Sequence, residues 1–346
     1  MSKIAILGGG AWGTALSIVL SRSRHAHEIA LWVREASLAQ TIATSRENKT
    51  YLPGIEIPAR ITASNDLGQV LAHAQIVVGA VPSAHTREVF LLALPHLSQG
   101  EIIVSATKGL EPATHLRMTQ VLEQVCAQRF VPELAVLSGP SFALEAARGE
   151  PTAVVIASAT SHQEFGEVRR HTSRTAEHLQ EQFAGPTFRL YTNDDVLGVE
   201  LAGAMKNVMA IAAGACQGLG LGANSLAALI TRGLSEMTRL AMKVGAKAET
   251  LGGLAGMGDL VLTCNGALSR NRHVGFELGK GKSLDEILGG MSSVAEGVGT
   301  TAALLALGQE FRIELPITEQ VNAILHHWKS PSEAIRDIME RPLKPE

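Results

Sequence analysis

Cysteine is scarce in this sequence: Cys126, Cys216 and Cys264 are the only three in 346 residues. They lie far apart and form no C-x-x-C pair. That argues against a disulfide framework and against a zinc site, and fits reduced thiols in a cytoplasmic protein. Charge is scarce too. Asp, Glu, Lys and Arg make up 18% of the chain, below the roughly 25% usual for soluble domains, so much of the chain should be buried. A net charge of −3 provides no general electrostatic footprint for nucleic acid, although local basic sites for small anions stay open. No uninterrupted apolar run reaches the length of about 18 residues that reads as a membrane span. The apolar start up to Leu20 superficially resembles a secretion signal, but Gly8-Gly9-Gly10 breaks its centre. Internal repeats and low-complexity tracts are also missing.

Aliphatic residues and glycine are plentiful. Hydrophobic residues reach 46%, enough for an ample core, and the length suits roughly two domains. The organising stretch is Gly8-Gly9-Gly10-Ala11-Trp12-Gly13, between the apolar run Ile4–Leu7 and a helix-prone stretch from Thr14 to about Ser21. It contains G-x-G-x-x-G as Gly8, Gly10 and Gly13. Gly8 permits the tight turn, Gly10 lets backbone approach a pyrophosphate, and Gly13 lets the helix lie close to the strand. N–H groups at the helix start, together with its dipole, attract the phosphates.

Further apolar runs at 29–33, 76–81, 102–105, 134–137 and 153–156 suit strands buried on both faces. Helical patterns at 85–94 and 115–128 lie between some of them, which predicts an α/β Rossmann-like domain with a mostly parallel sheet. Residues 158–182 are polar, with sparse apolar positions at Phe165, Val168 and Leu179, and read as an exposed, frayed helix. Phe188–Tyr191 reads as a last strand. From Asn193 the pattern is helical, with Asn193 or Asp194 as the cap of a helix beginning near Val196. Ser330-Pro331-Ser332-Glu333 fits a capping box. The expected division is a dinucleotide-binding domain over 1–190 and an all-α domain over 191–346.

Ligands of open parallel sheets bind beyond the carboxyl ends of the strands. The second strand runs into Arg34, 21 residues after Gly13. NAD sites usually place Asp or Glu there, whereas a guanidinium favours the 2′-phosphate of NADP. The other reading is a solvated Arg. The loops Thr107-Lys108-Gly109 and Ser138-Gly139-Pro140-Ser141 would share this sheet edge, and each is either a plain turn or part of an anion site.

From Leu201 to Thr231 the only charged residue is Lys206, and from Leu251 to Ser269 it is Asp259. A lone buried ammonium is costly unless paired, so these two are expected to meet. A structural ion pair is one reading, but such a pair is a poor source of stability compared with apolar packing. The favoured reading is a catalytic pair, because a buried lysine can exchange a proton during a reaction. Asn207 is placed to orient a substrate oxygen, and Thr263 lies one helical turn from Asp259. Ser269-Arg270-Asn271-Arg272 offers donors suited to a phosphate, or is a solvated helix terminus. His25, His27, His326 and His327 form no ligand-like cluster and read as surface or packing histidines, so no metal is expected.

Taken together, GGGAWGTAL, SATKGLE, SGPSFA, LAGAMKNVMAIAAG, GMGDLVLTC, SRNR and VAEG resemble the bacterial NAD(P)-dependent glycerol-3-phosphate dehydrogenase family, over nearly the whole chain. The resemblance implies a Rossmann-like domain followed by a helical domain, with the active site between them. It implies that Lys206 donates or accepts the catalytic proton. It assigns substrate contacts to Lys108, Gly139, Ser141, Asp259, Ser269, Arg270 and Asn271. Cofactor contacts would come from Trp12, Gly13, Arg34, Lys108, Ala143, Arg270, Val294 and Glu296. Dihydroxyacetone phosphate and glycerol 3-phosphate would be the substrates and NADP(H) the preferred cofactor, with NAD(H) also accepted. A role in phospholipid synthesis follows from the resemblance alone. The segment from about 158 to 183 is longer than the family's usual connection. An unperturbed lysine has a pKa of ~10.4, so oxidation should improve at alkaline pH. The alternatives are another β-hydroxyacid dehydrogenase and a non-catalytic NADPH sensor. The oligomeric state is open, with a homodimer as the working expectation.

Overall fold

In a doubly covered sheet each strand must bury both of its faces, and the short aliphatic runs meet that demand. The computed structural model describes residues 2–159, 173–291 and 294–343. Its strands are β1 (Lys3–Leu7), β2 (Glu28–Trp32), β3 (Glu47–Asn48), β4 (Leu52–Glu56), β5 (Ile61–Ser64), β6 (Ile76–Gly79), β7 (Ile102–Ser105), β8 (Glu133–Ser138), β9 (Thr152–Ala157) and β10 (Phe188–Asn193). Eight of them form one sheet in the order β10-β9-β8-β7-β6-β1-β2-β5, while β3 and β4 form a separate antiparallel ribbon. Pairing is parallel except between β8 and β9. Successive side chains of a strand point to opposite faces. Ile4 and Ile6 of β1 accordingly join one core cluster with Leu16 and Ile18, while Ala5 and Leu7 join another with Phe90 and Leu122. Full burial of such an aliphatic side chain is worth about 1.5–3 kcal/mol.

The chain folds as two compact units, Met1–Glu111 with Leu116–Glu200, and Pro112–His115 with Leu201–Glu346. The mostly parallel sheet lies in the first, and the second is helical. Helix Val196–Gly218 is long and apolar enough to cross a membrane by length and composition, but 89% of its apolar window is buried inside the protein. Helix Arg270–Gly279 packs against it backbone to backbone. A Cβ on Gly275 would fall 1.9 Å from the Ile211 carbonyl oxygen, and one on Gly214 would fall 2.0 Å from that of Arg272. This brings helix Arg270–Gly279 against the C-terminal half of helix Val196–Gly218.

Several expectations need correction. The cap of helix Val196–Gly218 is Asp195, whose Oδ1 accepts from Gly198 N at 2.8 Å; Asn193 instead accepts from Asp195 N. Among the described residues of the polar segment, Arg174–Phe183 is helical, and this helix is anchored by fully buried Ala176, Leu179 and Phe183 rather than exposed all round. Phe165 and Val168 lie outside the described residues. The first helix begins at Ala11, with Gly10 at its N-cap. His27 needs no correction: it is a packing histidine, buried with its Nε2 2.9 Å from the Gln182 carbonyl. The capping box at Ser330 forms as the sequence suggests.

Candidate active site

Six parallel strands put their carboxyl ends on one edge of the sheet, and that edge carries the first group of site residues. Gly8 follows β1 in the left-handed region at φ 127°, where a Cβ would fall 2.6 Å from the Ala80 carbonyl oxygen. At Gly13 a Cβ would fall 1.9 Å from the Gly8 carbonyl oxygen, so only glycine lets helix Ala11–Ser21 approach this closely. Gly10 faces open space. A cradle of this kind suits a diphosphate: backbone can approach it, and a helix N-terminus points at it. The Trp12 indole N–H is shut away from solvent and has no protein acceptor.

On the same edge, the Lys108 ammonium donates to the Gly139 carbonyl at 2.7 Å and to Ser141 Oγ at 3.3 Å. Ser141 Oγ in turn donates to the Gly139 carbonyl at 2.9 Å. The loops after β7 and β8 therefore converge. Gly139 sits at φ 133° against the Val154 backbone. Ala143 opens the short helix Ala143–Arg148 just beyond. Arg34 stands apart. Its guanidinium is largely exposed and pairs with Glu35 Oε1 at 2.9–3.0 Å, a hydrogen bond that raises its pKa.

The second group lies in the helical unit. Lys206 is 6% exposed and Asp259 1%. The Lys206 ammonium donates to Asp259 Oδ1 at 2.8 Å and to Thr263 Oγ1 at 2.9 Å. Thr263 Oγ1 also donates back to the Asp259 carbonyl at 2.6 Å, as expected one turn along a helix. A feature the sequence reading missed sets Asp259 in place. Leu254–Gly258 forms a π-helical turn closed by Gly258 N to the Gly253 carbonyl at 3.1 Å, and Asp259 opens the α-helix that follows. Such turns occur mostly as local insertions, frequently at functional sites. The run of small residues in Leu254-Ala-Gly-Met-Gly was its available signal. Cys264 lies next to the ion pair. Burial pushes its thiol up to about 12, with Lys206 pulling the other way and Asp259 adding to the rise.

Asn207 is buried and turns its Nδ2 toward the Gly203 carbonyl at 3.4 Å. Ser269 caps helix Arg270–Gly279 by accepting from Arg272 N at 3.2 Å. Asn271 Oδ1 accepts from Gly297 N at 2.9 Å, and Arg270 Nη1 donates to the Val294 carbonyl at 3.3 Å. The outer end of Arg270 reaches solvent, but protein packed round it lowers its pKa, with Glu296 acting in the opposite sense. Glu296 begins helix Glu296–Phe311. Among the described residues, no group of three or more His, Cys, Asp or Glu side chains could hold a metal ion.

A family model described as the NAD-dependent glycerol-3-phosphate dehydrogenase N-terminus matches residues 3–164, and the corresponding C-terminus model matches residues 195–336. The chain belongs to this family.

Its relatives in the family match it end to end. It is 52% identical over 343 residues to glycerol-3-phosphate dehydrogenase (NAD(P)+) of Koribacter versatilis, covering 99% of this chain and 98% of that one. The relative in Acidobacterium capsulatum is 49% identical over 347 residues, with 99% of each chain covered. The crystal structure of glycerol-3-phosphate dehydrogenase from Coxiella burnetii superposes with a TM-score of 0.89 at 40% identity, covering 98% of this chain and 99% of that one. The family's two-part layout, Rossmann-like then helical, is the layout found here.

Proposed function

We propose that the chain is an NAD(P)-dependent oxidoreductase that interconverts dihydroxyacetone phosphate and sn-glycerol 3-phosphate. The observation that carries this reading is the Lys206 ammonium, buried as the sole charge between Leu201 and Thr231 and held by Asp259 and Thr263. Family membership supports the reaction class, and the glycine cradle fits the cofactor.

When bound, the reduced nicotinamide supplies a hydride for C2 of the substrate. Lys206, as ammonium, stabilises the charge that develops on the C2 oxygen and donates a proton to it. In the oxidative direction neutral Lys206 accepts the hydroxyl proton. Asp259 and Thr263 fix the position of the ammonium, which matters because small displacements of a reacting group are costly in rate. Arg270 and Asn271, at the start of a helix capped by Ser269, grip the substrate phosphate. Lys108, Gly139 and Ser141 add donors for the same substrate. Binding energy far from C2 thereby positions the carbonyl.

Gly8, Gly10, Trp12 and Gly13 hold the cofactor diphosphate region, and Lys108, Ala143, Arg270, Val294 and Glu296 complete the cofactor contacts. Arg34 favours the 2′-phosphate, so NADP(H) is preferred and NAD(H) accepted. We place the protein in the cytoplasm as a homodimer, supplying glycerol 3-phosphate for phospholipid synthesis. The direct test is loss of NADPH absorbance on adding dihydroxyacetone phosphate. Turnover is expected with that substrate and not with carboxylated ones such as sugar acids. The opposite result would replace this reading with that of a β-hydroxyacid dehydrogenase.

A further inference from the structure

Asn48, on the two-residue strand β3, has a fully buried side chain that none of the proposed catalytic steps uses. Its Nδ2 donates to the Gly9 carbonyl at 2.8 Å and to Thr14 Oγ1 at 2.8 Å. Its Oδ1 accepts from Tyr51 N at 3.2 Å. A carbonyl only accepts and a backbone N–H only donates, so these partners fix which way round the amide sits. The ribbon behind Asn48 is itself secured. Glu47 Oε1 accepts from Gly54 N at 2.8 Å, and the Arg46 guanidinium donates to the Ile57 carbonyl at 3.0 Å and the Ile61 carbonyl at 3.1 Å.

What Asn48 holds is one peptide of the glycine loop. The Gly9–Gly10 bond is trans, as is every other described peptide bond. In a planar trans peptide the C=O and the N–H point in opposite directions. With the Gly9 carbonyl tied to Asn48, the Gly10 N–H must point away from Asn48. Gly10 faces open space, and a Cβ on Gly9 would fall 2.7 Å from the Val33 side chain, so Gly9 is itself closely packed. A flip of this peptide would turn a carbonyl toward the cofactor phosphates in place of a donor. Glycine on both sides gives little intrinsic resistance to such a flip.

We propose that Asn48 is a positioning residue that locks the Gly9–Gly10 peptide in the orientation that presents the Gly10 N–H to the cofactor diphosphate. This rests on the reading of the glycine loop as the NAD(P) site. Asn48 touches neither substrate nor cofactor. It acts through the loop, so cofactor affinity should respond to its loss while the chemical step does not.

The test measures NADPH affinity by fluorescence titration, together with kcat, KM for dihydroxyacetone phosphate and Tm, in wild type, Asn48→Asp, Asn48→Ala and Gly10→Val. Asn48→Asp keeps the shape and the acceptor for Tyr51 N but removes both donors. Its NADPH Kd should rise about tenfold, equivalent to about 1.4 kcal/mol. At saturating NADPH its kcat and its KM for dihydroxyacetone phosphate should stay within about twofold, since only uniform cofactor binding is lost. Asn48→Ala should show the same split, and it carries the test if the aspartate variant fails to fold. Wild-type NADPH affinity in a folded Asn48 variant overturns the proposal. So does a fall in kcat or Tm with Kd unchanged, which marks a merely structural or catalytic role. Gly10→Val separates the two claims, because its side chain enters open space and should leave folding intact. If Gly10→Val binds NADPH as wild type does, the loop is not the cofactor site and the underlying reading fails, whatever Asn48 does.

Discussion

Replacing Lys206 by methionine should affect stability and turnover by separate routes, and a second substitution can pull the two apart. The Lys206–Asp259 pair is buried on both sides. Removing one partner of such a pair costs about 3–5 kcal/mol, because the remaining charge loses its compensation, whereas replacing both by apolar residues is often neutral. At roughly 2–4 °C per kcal/mol for a unit of this size, Lys206→Met should lower the melting temperature of the helical unit by about 6–20 °C. Adding Asp259→Leu should restore most of that loss. Turnover should not return. A positioned general acid contributes about 10²–10⁴-fold, and stabilisation of the developing charge adds to this, so both variants should fall at least about a thousandfold in kcat. NADPH affinity should be largely kept in both, because neither Lys206 nor Asp259 is among the proposed cofactor contacts and the glycine loop belongs to the other unit. The assays are calorimetric melting and NADPH absorbance at saturating dihydroxyacetone phosphate. A stable double variant with turnover within tenfold of wild type would refute Lys206 as the proton source. An unchanged melting temperature in Lys206→Met would refute the argument from burial.

Arg34→Asp should shift cofactor preference from NADPH toward NADH by about 10–100-fold, the worth of a hydrogen bond to a charged group; unchanged relative kcat/KM for the two cofactors would remove Arg34 from the site. Gly13→Ala should lower Tm and cofactor affinity together, because the new methyl would meet the Gly8 carbonyl at 1.9 Å, whereas Gly10→Ala should keep Tm and lose affinity; equal melting of the two variants counts against the close-approach argument. Burial raises the Cys126 thiol from 9.0 to about 11. The folded state therefore keeps a proton that the unfolded state releases, so stability from this group is complete below about pH 9 and is lost as pH rises toward 11. Cys126→Ala should melt with a shallower loss between those pH values, and a slope identical to wild type would show that the thiol does not titrate as described.

Strand β1 and its neighbours were legible because an aliphatic run covered on both faces announces its burial locally. β5 was not, since Ile61-Thr-Ala-Ser is half polar and lies at the sheet edge. β4 was hidden for another reason: it contains Pro53-Gly54, a pair that by itself signals a turn. The site divides along the same line. Lys206 and Asp259 stood out because each is the sole charge in a long apolar stretch, and the cost of desolvating a charge can be read from its neighbours in sequence. Glu236 is just as buried, but its own helix also carries Arg232 and Arg239, which disguise it. Its partners, Ile317 N at 2.9 Å and Thr318 N at 3.0 Å, are about eighty residues away and belong to the first turn of helix Pro316–His326. Asn48 is similar, with its acceptor on Gly9 39 positions distant. A charge without local company reveals that it needs a partner. A polar group whose partner is a backbone amide or carbonyl reveals nothing until the chain is folded, because every residue in the sequence carries that partner. Sequence reading therefore favours the reacting groups over the groups that hold them in place, and those supporting groups are where the folded structure adds most.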